Sequence, residues 1–145
     1  LQGRFWAVVI DLREPSISCA VDRFGIEQLY WRADGEDLCV SSSPDPVVAL
    51  STARVDPQSI FNYLFFHCVP GSRTIWKGID KVPGGVTLTW SPGSGPRLSK
   101  YWSPARAPDE ISGERLQELE QLAVDSLARA VADECISGTA AAFLS

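Results

Sequence analysis

An α+β fold is what this sequence predicts, and three observations predict it. Runs of β-branched and aromatic residues recur in pairs around turn residues, one short and very apolar helical stretch interrupts them, and a long amphipathic stretch follows a Pro-rich segment. The chain has 145 residues, 45% hydrophobic, 21% charged and 10% aromatic. That composition suits a globular protein and excludes collagen-like, low-complexity and disordered classes. No apolar run approaches the roughly 20 residues of a membrane helix. Residues 1–12 contain Gln2, Arg4 and Asp11, so they are neither a span nor a secretion signal. A net charge of −5 argues against an electrostatic nucleic-acid binder.

Residues 4–12 (RFWAVVIDL) and 16–22 (SISCAVD), separated by Arg13-Glu14-Pro15, read as a hairpin. A second hairpin joins residues 28–32 (QLYWR) to 37–42 (DLCVSS), with Asp34-Gly35 supplying the positive-φ residues of a tight turn. Four successive antiparallel strands predict one sheet. Asp56-Pro57 then opens a helix over residues 57–67: Asp56 can cap the orphan N–H groups, and Pro57 fits the first helical position. With Ile60, Phe61, Tyr63, Leu64, Phe65 and Phe66 it is apolar nearly all round, which predicts burial between layers; Pro70-Gly71 is its expected stop. After residues 74–82 and the turn Pro83-Gly84-Gly85, a third hairpin pairs residues 86–90 with 97–102.

The charge is uneven. Residues 1–108 carry eleven basic and ten acidic side chains, net +1, whereas residues 109–145 carry two and eight, net −6. The stretch Ser103-Pro104-Ala105-Arg106-Ala107-Pro108 marks the change, so two units are expected, 1–102 and 112–145, joined by a linker over 103–111. Residues 112–133 read as a helix, with Leu116, Leu119, Ala123, Leu127 and Ala130/Val131 on one stripe and Glu118, Gln121 and Asp125 elsewhere. Gly138 then allows a turn into a small-apolar strand over residues 139–144.

The absence of Met and the start at Leu1 predict an internal segment of a longer polypeptide. Cys19, Cys39, Cys68 and Cys135 form no CxxC pair and there is one histidine, His67, so no metal site is expected. The thiols read as structural and reduced, which fits a cytoplasmic protein. His67 ends an apolar helix and reads as a capping or packing residue. The residues alone assemble no complete catalytic set.

Several stretches nonetheless resemble the glutamine-hydrolysing asparagine synthetases, which are N-terminal-nucleophile amidotransferases. Leu1-Gln2-Gly3-Arg4-Phe5-Trp6-Ala7 is similar to that family's LxGxFAFAL strand, and Val21-Asp22-Arg23-Phe24-Gly25-Ile26-Glu27-Gln28-Leu29-Tyr30-Trp31 to its RDRFGIKPLYY signature. Asp56-Pro57, Val69-Pro70-Gly71-Ser72-Arg73-Thr74-Ile75, Gly78-Ile79-Asp80-Lys81-Val82-Pro83-Gly84-Gly85 and Tyr101-Trp102 follow in the family's order. Ala142-Phe143-Leu144-Ser145 resembles the AFLS before the Gly-Gly-Leu-Asp-Ser nucleotide loop. The chain departs from the pattern at Val21, where the signature has Arg, at Glu27-Gln28, where it has Lys-Pro, and at Ser42-Ser43-Pro44-Asp45, where it has Ser-Glu-Ile-Lys.

The resemblance implies the later part of a four-layer αββα glutaminase, followed by the first helix and strand of an α/β ATP-pyrophosphatase domain. It implies glutamine, aspartate and ATP with Mg2+ as small-molecule partners, no nucleic acid or membrane partner, and a homodimer as an allowed assembly. It places the catalytic N-terminal Cys upstream of Leu1, so none of the chain's four cysteines is expected to be catalytic. Leu144 and Ser145 would begin the nucleotide site, and Asp22, Arg23 and Gly25 would be structural, with Asp22 and Arg23 pairing with backbone and with each other. The implied reaction is amidation of aspartate to asparagine through an aspartyl-adenylate. Relatives that amidate other acceptors or close macrolactam rings share the architecture, and a non-catalytic scaffold is the remaining alternative.

Overall fold

A computed structural model describes residues 1–105 and 113–135. The described residues form β1 (Trp6–Asp11), β2 (Ser16–Val21), β3 (Tyr30–Asp34), β4 (Asp37–Ser41), α1 (Pro44–Ala49), α2 (Pro57–Phe66), β5 (Asp80–Lys81), β6 (Val86–Trp90), β7 (Arg97–Lys100) and α3 (Gly113–Glu134). The chain divides into two units, Leu1–Pro104 and Ala105–Ser145.

The expected hairpins form, but the first four strands do not make one sheet. β1-β2-β6-β7 is one antiparallel sheet and β4-β3-β5 another. The division has a local cause. After β2 the backbone N–H groups of Phe24, Ile26 and Glu27 are captured by the Asp22 carboxylate, so this stretch offers no ladder to a neighbouring strand. Strand β6 takes the open edge of β2 instead, with Cys19 opposite Leu88. Side-chain alternation then decides what lies between the sheets. Cys19, Val21 and Leu88 meet Leu29 and Val82 in one core, against which Ile17, Trp31, Leu38 and Val40 pack.

The β3–β4 turn also differs in detail from expectation. Asp34 remains in β3, paired with Asp37, and only Gly35 has a positive φ, at 59°. The two-residue connection is therefore Gly35-Glu36, with glycine at the first central position, where a side chain would be strained.

Helix α1 was not expected from the sequence. Ser43 caps it by accepting from the Asp45 N–H, Pro44 stands at its start, and Val47 is fully buried where the helix packs on β3 and β4. Its signal was the Ser-Pro pair, which has the same logic as Asp56-Pro57.

Helix α2 begins as expected, with Asp56 accepting from the Gln58 N–H. It ends one residue early, at Phe66, because His67 adopts the left-handed conformation at φ 58° before Pro70-Gly71 is reached. The expected burial is not found. Of its residues only Ser59 is buried, while Phe61, Tyr63, Leu64, Phe65 and Phe66 are exposed. The helix is held at its first turn, through Asp56, Ser59 and the Val55–Trp76 bridge, and no other element of its own unit covers its apolar faces.

Residues 74–82 contribute only the two-residue β5, because the Thr74 hydroxyl folds this stretch into a loop: it accepts from the Trp76 N–H at 3.0 Å and donates to the Ile79 carbonyl at 2.7 Å. In the second unit α3 matches the expected helix to within a residue at its end, with a 2.7 Å Arg115–Glu118 ion pair and a 2.9 Å Gln121–Asp125 hydrogen bond along its surface. Ser112, the expected start, Gly138 and the expected strand over 139–144 lie outside the described residues. No described helix is long and apolar enough to cross a membrane.

Candidate functional site

The stretch most specific in the sequence, Asp22-Arg23-Phe24-Gly25, forms a polar junction in the first unit. Asp22 is 1% exposed. One carboxylate oxygen accepts from the N–H groups of Phe24 and Ile26 at 3.0 and 3.1 Å, and the other accepts from Glu27 at 2.9 Å. Its peptide groups are also engaged. The Asp22 N–H donates to the Phe5 carbonyl at 2.9 Å, and its carbonyl accepts from Gly25 at 3.1 Å and from Gly85 at 3.0 Å. Burial pushes the Asp22 carboxyl up, but the backbone N–H groups of Glu27, Ile26, Phe24 and Phe5 together outweigh it and hold the carboxyl below its ordinary value. A carboxylate with its oxygens so occupied is a structural anchor and not a proton carrier.

Two glycines let the 83–85 turn lie against this loop. A Cβ on Gly84 would sit 2.7 Å from the Gly25 nitrogen and from the Phe24 carbonyl carbon, so the two backbones touch. Gly85 has φ +68°, and a Cβ there would meet the Trp102 carbonyl oxygen at 2.7 Å. The Gly85 carbonyl accepts from Tyr101 and Trp102 at 2.8 and 3.1 Å. The Tyr101 hydroxyl reaches back to donate to the Val21 carbonyl at 2.5 Å, and the Phe24 and Trp102 rings meet edge to face at 5.1 Å. Motifs far apart in sequence thus converge, and beside them opens a cleft of about 530 Å³ whose walls include Arg4, Phe5, Arg23, Phe24 and Tyr101.

Residues 1–102, the part of the chain that contains this whole junction, match the family model of the glutamine amidotransferase domain. The chain belongs to that family. No curated protein matches the chain.

In this glutamine amidotransferase domain the expected site residues fare differently. Asp22 and Gly25 are at the junction, Gly25 with φ +66°. Arg23 is exposed; of the two pairings expected for Asp22, the one with backbone is found, since the carboxylate faces the N–H groups of its own loop, and the one with Arg23 is not. Leu144 and Ser145 lie outside the described residues. The contribution of Tyr101, Trp102 and Gly84 went unassigned in the sequence; their motifs were visible, but a contact over 80 residues has no local signature.

A second, smaller cleft of about 250 Å³ lies among Asp56, Arg73, Lys77 and Asp80. The Ser59 hydroxyl, 2.9 Å away, does most to hold the Asp56 carboxyl below its ordinary value; burial opposes it, and the Gln58 N–H and Arg73 assist. Asp80 is displaced the other way, pushed up by burial with Arg73 opposing. Among the described residues no group of three or more His, Cys, Asp or Glu side chains could hold a metal ion.

Nucleophilic chemistry finds little support in the described residues. Cys19 is buried, and burial pushes its thiol up to about 11, so it stays protonated at neutral pH. Cys39 is half-buried rather than buried, and Cys68 and Cys135 are exposed. His67 is spent on ending α2.

Proposed function

We propose that this chain is the framework part of a glutamine-dependent, ATP-driven ligase that amidates aspartate to asparagine through an aspartyl-adenylate. In this reading an N-terminal Cys outside these 145 residues attacks the glutamine amide, with its own α-amine as base, and ammonia is released. The acceptor carboxylate is activated on ATP with Mg2+, at a site that Leu144 and Ser145 would begin. The first unit would be the later part of a four-layer αββα glutaminase, and α3 would open the nucleotide-binding domain of a cytoplasmic enzyme.

One observation carries the glutamine half: the family match spans the whole stretch whose motifs converge on Asp22. The order of the asparagine-synthetase-like motifs, ending in Ala142-Phe143-Leu144-Ser145, supports the aspartate and ATP half. Val21 and Glu27-Gln28 depart from the synthetase signature and favour, as a second reading, an amide- or macrolactam-forming enzyme with another acceptor.

The role assigned to this chain is to hold the sheets, not to perform chemistry. The 145-residue chain is expected to release no ammonia from glutamine above buffer; release that an internal Cys substitution abolishes would overturn the assignment. The coding sequence immediately after Ser145 is expected to read Gly-Gly-x-Asp-Ser, and a continuation without the paired glycines and the Asp would remove the synthetase half. Enzyme carrying that continuation is expected to form AMP and pyrophosphate with aspartate, and turnover with a different carboxylate alone would select the second reading.

A further inference from the structure

The smaller cleft, among Asp56, Arg73, Lys77 and Asp80, is used neither by the Asp22 junction nor by the proposed chemistry. Its walls are tied by backbone. The Asp56 N–H donates to the Ile75 carbonyl and the Lys77 N–H to the Arg54 carbonyl, both at 2.8 Å, around the Val55–Trp76 bridge. Arg73 and Asp80 pair in a further bridge, and the Lys81 N–H donates to the Ser72 carbonyl at 2.6 Å. Between these ties the buried Thr74 hydroxyl binds the Trp76 N–H and the Ile79 carbonyl, so the cleft is formed before anything enters it.

The side-chain charges are less well served than the backbone. Asp56 is satisfied, since its carboxylate accepts from Ser59 at 2.9 Å and from Gln58 at 3.2 Å. Asp80 is half-buried, yet among the described residues it accepts no hydrogen bond and makes no ion pair within 4.0 Å. Arg73 comes no closer than 4.0 Å to Asp56, beyond hydrogen-bonding reach, and Lys77 is exposed with neither a hydrogen bond nor an ion pair on its ammonium. One half-buried acid and two unengaged bases therefore share a cleft of about 250 Å³.

We propose that this cleft binds a small zwitterion of the α-amino-acid class, with its ammonium on Asp80 and its carboxylate on Arg73 and Lys77. Charge selects this ligand. A simple anion would leave Asp80 without a donor, and a simple cation would face Arg73 and Lys77; only a molecule carrying both charges answers both sides. Size agrees, because the cleft lies below the range of about 300–1,000 Å³ typical of drug-sized ligands. It has the space of about eight waters, enough for an amino-acid backbone and a short side chain. The proposal is independent of the ligase reading, and its test needs no turnover.

The test is titration of the 145-residue chain with glycine and L-alanine at neutral pH, followed by amide NMR. Saturable shifts confined to residues 54–56 and 73–80 are expected, with a Kd of about 1 mM. Acetate and methylammonium, which carry one charge each, are expected to bind about tenfold more weakly or worse. Asp80→Asn is expected to weaken glycine about tenfold and to abolish its advantage over acetate; because this substitution relieves a burial penalty, the variant stays folded. Lys77→Gln, at an exposed position, is expected to weaken glycine by a smaller factor and to leave methylammonium unaffected. No saturable shift with either amino acid, equal binding of acetate, or binding that survives Asp80→Asn would each overturn the proposal.

Discussion

Asp22 and Asp56 are the same side chain set to the same local task, and they give two very different regions. Each follows an extended segment and accepts from N–H groups just ahead of it, Asp22 from Phe24, Ile26 and Glu27 and Asp56 from Gln58, and each is held below its ordinary pKa. The difference is what surrounds them. Asp22 is sealed from water, and its peptide groups bind Phe5 and Gly85, so the anchor ties residue 5, its own loop and the 83–85 turn together. Asp56 is partly open to solvent and starts a helix whose remaining faces are bare. A hydrogen bond to a buried carboxylate organises tertiary structure because water cannot replace it; the same bond at the surface mainly sets where a helix begins.

The sharpest way to break this contrast is Asp22→Ala, which takes the acceptor from the Phe24, Ile26 and Glu27 N–H groups, all part-buried. At about 1–3 kcal/mol for each unsatisfied donor, and with partial rescue by water, a loss of about 3–5 kcal/mol is expected in urea unfolding of the chain. A loss below 1 kcal/mol would mean the loop finds other partners and the anchor is dispensable. Next in size is Gly85→Ala, which combines a positive φ with a clash against the Trp102 carbonyl; about 2–3 kcal/mol is expected, with the Trp fluorescence altered as residues 101–102 shift. Tyr101→Phe removes only the hydroxyl bond to Val21 and should cost about 1 kcal/mol by the same unfolding assay.

Acid sharpens the comparison further. The folded pKa of Asp22 lies below the unfolded value of about 3.9, so its contribution is complete above that pH and is lost as pH falls through the folded pKa. Melting temperature measured downward from pH 5 should therefore fall less steeply in Asp22→Asn than in the unaltered chain, and parallel curves would contradict the assignment. Asp80 has the opposite sign: burial raises its folded pKa, so acid relieves a penalty there, and Asp80→Asn should leave the chain slightly more stable at pH 7. The smallest effect expected is Asp56→Asn, a slight drop in melting temperature, since an Asn can cap the helix nearly as well.

Much of the local structure was legible from residue types. The hairpins, the Asp56-Pro57 helix start and α3 followed from alternation, caps and periodicity, which act over a few residues. Where reading failed, the deciding interaction was distant. The four early strands look like one meander until β6, more than sixty residues after β2, takes its edge. Six apolar side chains on α2 predicted a burial that its own unit does not provide, because hydrophobicity is non-directional and names no partner. The Asp22 signature advertised a fixed bend without revealing that Phe5, Gly85 and Tyr101 would gather there.

By itself, then, the sequence determined most of the elements, the start of α2 and, through ordered motifs, the glutamine amidotransferase family, because propensity and side-chain period are properties of short stretches. Only the tertiary structure decided which strands share a sheet, that Gly84 must lack a Cβ to let two backbones touch, and that no element of its own unit covers the apolar faces of α2. Those outcomes depend on which distant groups exclude solvent from one another, and that exclusion exists only once the chain has folded.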